Sequence, residues 1–203
     1  MAVSWKLVGS IILGAASMLS GRQETAASAA PLAKNVVVKA SPFKLVSSRN
    51  ETVTAATMAS AEKAATHGVI SRDKKTLTFT QKTIRLVVHT GPENDMLSYR
   101  INGLRNPTIV APHGSTLRVL FVNNDGDMLH NVRFGAWRGS FKTGESSLIA
   151  SSVGAAQLPH VDGAQLHAAA MVISAPKQPG KYSYFCTVRG HAPGGMWGVI
   201  QVR

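Results

Sequence analysis

A thiol, an imidazole and a thioether recur at equal intervals near the C-terminal end of this chain. They are Cys186, His191 and Met196, set as C-x4-H-x4-M in the run Tyr182-Ser-Tyr-Phe-Cys-Thr-Val-Arg-Gly-His-Ala-Pro-Gly-Gly-Met-Trp-Gly198. The spacing begins at the end of one expected strand and finishes at the start of the last. A loop joining two neighbouring strands turns three side chains onto one point only if it is tight, and Gly190, Gly194 and Gly195 supply the necessary backbone freedom. A fourth donor has to come from a neighbouring strand. His130, just past the Asn-Asp-Gly turn at 124–126, is the candidate. Cysteine, two histidines and a weak axial methionine make the ligand set of an electron-transfer copper site. Soft sulfur favours Cu(I), imidazole suits both oxidation states, and a compromise geometry changes little between them. Zinc takes cysteine and histidine but gains little from methionine, which makes it the minor alternative. The chain has one cysteine, so no intrachain disulfide exists to claim it. His67, His89, His113, His160 and His167 stand out of register with the loop and read as surface or structural residues. Met128, Tyr182, Tyr184, Phe185 and Trp197 read as packing.

The elements that must position these side chains are short and β-like. Candidate strands are Thr76–Thr80, Thr83–Thr90, Leu97–Ile101, Thr108–Ala111, Thr116–Asn123, Asn131–Phe134, Ala169–Ser174, Lys181–Cys186 and Gly198–Arg203. Period-2 alternation shows in Thr116–Val122, where Leu117, Val119 and Phe121 share a face and Arg118 looks away. Turn signals at 72–75, 112–114, 123–126 and 176–180 separate the runs. Many short strands at hairpin-like spacing predict an all-β domain, a β-sandwich with Greek-key connections. Residues 53–66 are Ala-rich without a breaker and predict a short helix before the sandwich. The Gly/Ser-rich stretch 135–168 predicts an excursion between two strands.

The copper loop, together with the run Asn-Pro-Thr-Ile-Val-Ala-Pro-His-Gly-Ser-Thr-Leu-Arg-Val-Leu-Phe-Val-Asn-Asn at 106–124, resembles the rusticyanin-like cupredoxins, a type 1 copper family. The resemblance covers roughly residues 53–203. It implies a cupredoxin sandwich with a helical N-terminal extension, and one copper per chain cycling between Cu(I) and Cu(II). It also implies His130, Cys186, His191 and Met196 as the ligands. Asn131 departs from the serine found after the first histidine in rusticyanin and matches many other cupredoxins. It is expected to brace the two ligand-bearing segments by hydrogen bonds to the Cys186–Thr187 stretch. The leader and the positive charge resemble those cupredoxins that accompany a cytochrome c oxidase in acidophilic iron oxidisers. A c-type cytochrome and a cytochrome c oxidase are therefore the implied partners.

Residues 1–29 carry Lys6 and an apolar run from Leu7 to Leu19, predicting either a cleaved signal peptide, with Ala27-Ser28-Ala29 as cleavage site, or a retained membrane anchor. Both put the remainder outside the cytoplasm, in the periplasm and in the second case tethered to the inner membrane. Residues 30–52 are read as a spacer and 53–203 as the copper domain. The formal net charge of +12 comes from 22 Lys+Arg against 10 Asp+Glu, spread along the chain without a basic helical stripe, which argues against nucleic acid. An enzyme of the multicopper type would need His-x-His pairs, and the sequence contains none. The expected function is single-electron shuttling by a monomer that is not an enzyme. The alternative is a non-shuttling copper subunit that stabilises a membrane oxidase.

Overall fold

The computed structural model describes residues 40–137, 139–141, 149–161 and 163–203. The leader and the first part of the spacer lie outside the described residues. In chain order the elements are β1 (Lys44–Val53), α1 (Ala55–Lys63), β2 (Val69–Ile70), β3 (Thr76–Thr78), β4 (Thr83–Thr90), β5 (Tyr99–Ile101), β6 (Leu104–Arg105), β7 (Thr108–Ala111), β8 (Thr116–Asn123), β9 (Arg133–Ala136), β10 (Ser152–Gly154), β11 (Leu166–Ser174), β12 (Gly180–Phe185) and β13 (Trp197–Val202). A 3-10 turn at Glu93–Asp95 follows β4.

Two mixed sheets form a sandwich, with strand orders β1-β11-β8-β4-β5-β6 and β10-β9-β12-β13-β7-β3-β2. The alternation read in β8 is realised: Leu117, Val119 and Phe121 are buried and Arg118 is exposed. These residues meet Leu86, Val88, Met171 and Ile173 of their own sheet and Leu77, Ile109, Phe134, Tyr184 and Ile200 of the other in one core. Burying such side chains stabilises the fold by about 1.5–3 kcal/mol each before the entropy of ordering is subtracted.

Helix α1 starts at Thr54, whose hydroxyl caps the Thr57 N–H. It ends earlier than the 53–66 expectation and buries no residue among Ala55–Lys63. Val53 belongs to β1 instead, where it packs with Val122 and Ala168. The domain also begins earlier than residue 53. Lys44–Val53 pairs antiparallel along β11 from Lys44↔Ser174 to Val53↔Leu166, so the last part of the expected spacer, 44–52, is an edge strand of the sandwich. The excursion expected at 135–168 also contains β10, which pairs with β9.

For the site, the decisive arrangement is β9-β12-β13. Strand β12 lies between β9 and β13, antiparallel to both, with Phe185 opposite Arg133 on one side and Trp197 on the other. The residues just beyond β12, just before β9 and just before β13 therefore share one end of one sheet.

Candidate metal centre

Cys186 leaves β12 and Met196 arrives at β13, and the Cys186 N–H donates to the Met196 carbonyl at 3.1 Å, closing the loop at its neck. Inside it, the N–H groups of His191, Gly194, Gly195 and Met196 donate to the carbonyls of Val188, Gly190, Ala192 and His191. The chain thus coils through successive tight turns. Gly190 (φ +82°) and Gly195 (φ +113°) hold left-handed backbone that a side chain resists. Gly194 serves differently, because a Cβ there would overlap Leu97. From outside, the Asn106 amide donates to the Gly195 carbonyl at 2.9 Å.

His130 approaches from a separate stretch. It is held by an isolated antiparallel bridge to Leu158, with backbone hydrogen bonds in both directions. Asn131 then spans the gap to the loop: its Nδ2 donates to Thr187 Oγ1 at 2.8 Å and its Oδ1 accepts from the Thr187 N–H at 2.8 Å. The expected bracing is present as a two-point contact, buried at both residues. The Tyr99 hydroxyl adds a third tie by donating to the Asn131 carbonyl.

The four sequence-predicted residues are brought together. His130 Nδ1 lies 3.2 Å from His191 Nδ1 and 3.1 Å from Met196 Sδ, and Cys186 Sγ lies 3.6 Å from His191 Nδ1. His130, Cys186 and Met196 are fully buried, and His191 retains 8% of its surface. Among the described residues, His130, Cys186 and His191 form the group able to hold a metal, their donor atoms within 4.8 Å of one another. Nitrogen ligands at about 2.0 Å and sulfur at about 2.3 Å from one tetrahedral ion would lie roughly 3.3 Å (N to N) and 3.5 Å (N to S) apart. The His130–His191 and Cys186–His191 pairs, at 3.2 and 3.6 Å, match that scale, while the His130–Met196 pair is closer at 3.1 Å.

The protonation states suit a cation. His130 Nε2 faces Asp125 Oδ2 at 2.9 Å. A carboxylate only accepts, so the ring proton sits on Nε2 and Nδ1 presents a lone pair to the cluster. Burial pushes the His130 pKa down against the opposing pull of Asp125, which keeps the ring neutral and ligating. Burial raises the Cys186 thiol to about 11, so in the metal-free protein the sulfur holds its proton. A cation must displace that proton to gain the thiolate.

Next to His191, Ala192 is buried against Phe141 and Phe185, while Pro193 is exposed. An alanine fills a small interior gap at no side-chain entropy cost, which composition alone does not reveal. Asp125 was legible only as a turn residue, and its contact with His130 arises from the path of the chain around 123–130. Of the other histidines, His67, His113 and His160 are exposed, His167 is half-buried in β11, and His89 contacts Thr90 and Glu62. Trp197 packs with Trp137 and Phe141.

No protein-family model matches the sequence, and no curated protein matches it. Solved structures do. Reduced rusticyanin is similar at a TM-score of 0.66 and 22% identity, covering 76% of this chain and 100% of that one. Rusticyanin from Thiobacillus ferrooxidans is similar at 0.65 and 24%, covering 76% and 97%. A methionine-to-leucine variant of rusticyanin is similar at 0.66 and 22%, again covering 76% and 97%. At these identities the likeness is one of fold: the chain has a rusticyanin-like cupredoxin sandwich.

Proposed function

We propose that this protein is a type 1 copper carrier that passes single electrons between respiratory partners outside the cytoplasm. The observation that carries the reading is the convergence of one thiol, two imidazoles and one thioether at a single buried point. The donor set fits copper better than zinc, because a thioether adds little to a zinc site and is the usual weak axial ligand of a copper one. Bound there, copper would supply a one-electron couple between Cu(I) and Cu(II). His130, Cys186, His191 and Met196 would hold it.

The chain's own residues perform the rest. The closed loop neck and the Asn131–Thr187 brace keep the donors in one geometry, so that little rearranges when charge moves. Burial of Cys186 and Met196 excludes water from the sulfur ligands. His191 alone of the four keeps some exposed surface, 8% of it, and would serve as the point where an electron enters or leaves the domain.

The leader and the net charge of +12 support a periplasmic carrier held at the inner membrane beside an acidic partner, such as a c-type cytochrome or a cytochrome c oxidase. Copper loading of the recombinant domain should give an intense visible thiolate-to-Cu(II) band and a one-copper EPR signal. A colourless, copper-refusing protein overturns the assignment. Stopped-flow mixing with the oxidase at several ionic strengths tests shuttling. Slow, salt-indifferent exchange would leave the non-shuttling stabilising subunit instead.

A further inference from the structure

Asp125 lies in the turn after β8, and the structure turns its carboxylate inward. Oδ2 is 2.9 Å from His130 Nε2, with the Asp125 side chain 3% exposed and the His130 side chain fully buried. Oδ1 accepts the Asp127 N–H at 2.7 Å and the Met128 N–H at 3.1 Å. Both oxygens therefore meet N–H donors, and only an ionised carboxylate accepts on both sides. An amide in the same place would turn its NH2 against one of the donors. The backbone around it is fixed as well. The Asp125 carbonyl accepts the Val161 N–H at 2.8 Å, and Asn123 Nδ2 donates to the carbonyls of Met128, Leu158 and Pro159. The same segment, through Leu158, carries the bridge to His130. The carboxylate and the imidazole are thus delivered to each other by one clamped substructure.

Within the copper reading above, we propose that Asp125 is a positioning residue for His130 and a charge that lowers the reduction potential of the centre. It keeps the ring proton on Nε2 and aims Nδ1 at Cys186, His191 and Met196. It also sets a buried negative charge one imidazole ring away from the cation. A negative charge stabilises the more positive oxidation state, and in surroundings shielded from water its influence is much larger than at the surface. Cu(II) is favoured over Cu(I) as a result. A carboxylate behind a ligating histidine also makes the ring a stronger donor and strengthens metal binding.

The test compares wild type with Asp125→Asn and Asp125→Ser. Asparagine can still cap the Asp127 and Met128 N–H groups with its oxygen, which retains the turn while removing the charge and the contact with His130. Serine retains a shorter cap and serves if the asparagine variant folds poorly. Spectroelectrochemistry on the copper-loaded variants should show a raised reduction potential, and copper competition should show roughly tenfold weaker binding or more. In 1H–15N spectra of the metal-free domain, the His130 Nε2–H should be slowly exchanging and downfield in wild type and lose that signature in both variants. A purely structural role would lower the melting temperature and leave the potential and the ring proton where they were, and that result overturns the proposal. If wild type takes up no copper, the copper reading fails instead. The ring spectra then still decide whether Asp125 sets the His130 tautomer.

Discussion

Replacing Asn131 by alanine removes both hydrogen bonds that tie the His130 segment to Thr187, each 2.8 Å long and formed between residues only 2–3% exposed. The Thr187 N–H then has no partner and too little room for a full water shell. A buried donor left unmade costs about 1–3 kcal/mol, and the lost acceptor contact at Oγ1 adds a smaller amount, so the variant should be destabilised by about 2–4 kcal/mol. For a domain of this size that corresponds to a fall in melting temperature of roughly 5–15 °C. Urea unfolding of the metal-free domain isolates the scaffold from metal binding. The midpoint should fall while the slope stays constant. Thr187→Ala and the double variant complete a cycle whose coupling should be about 1–3 kcal/mol, because the two side chains act on each other directly. In the copper-loaded protein the same loss should speed copper release, since the loop bearing Cys186 is no longer fastened to the segment bearing His130. A destabilisation below about 0.5 kcal/mol, the scale of an ordinary surface change, or a cycle with no coupling, would refute the brace as a structural device.

Cys186→Ser should abolish the visible band, whereas Met196→Leu should keep the copper and raise the potential, because removing a weak donor disfavours Cu(II). An unchanged potential and spectrum in the leucine variant would remove Met196 from the ligand set. With the thiol raised from 9.0 to about 11 by burial, the metal-free domain should resist alkylation at pH 8 until it unfolds. Because the folded thiol still holds its proton where the unfolded one has lost it, stability should fall as pH rises from 9 towards 11, and chemical denaturation across that range reads the slope. Gly198→Ala should destabilise the domain by about 1–3 kcal/mol or more. A Cβ there would overlap the buried Tyr184 ring and displace its hydroxyl from the Pro107 carbonyl, 2.8 Å away, and a melting temperature equal to wild type would contradict that packing.

Sequence and structure divide the molecule along a physical line. The bounds of β4, β7 and β8 coincide with the runs Thr83–Thr90, Thr108–Ala111 and Thr116–Asn123, because each is a short apolar-rich run closed off by turn signals: β8 alternates through Leu117, Val119 and Phe121, whereas β7 buries Ile109, Val110 and Ala111 in succession. The loop was legible for a related reason. Cys186, His191 and Met196 lie within one stretch whose glycines allow it to fold on itself, and chemical type plus spacing is all that such a local site requires. Asn131 could be anticipated because it neighbours a candidate ligand.

Strand β1 carried no such mark. Eight of its ten positions are polar or exposed, and it is held at the sheet edge by backbone pairing with β11, which lies more than a hundred residues away in the chain. Backbone hydrogen bonds leave no signature in side-chain type, so only the partner strand decides that Lys44–Val53 is structure rather than tether. The inward turn of Ala192 and the contact of Asp125 with His130 belong to the same class. An aspartate in an Asn-Asn-Asp-Gly run reads as a turn residue wherever it occurs. Whether its carboxylate faces water or a ligating imidazole is decided by the closure of the sandwich around 123–130 and 158–161, a long-range event with no local code. The chain by itself thus determined which donors exist and which strands alternate. The tertiary structure decided which surface each remaining side chain would face, because that choice depends on what packs against it.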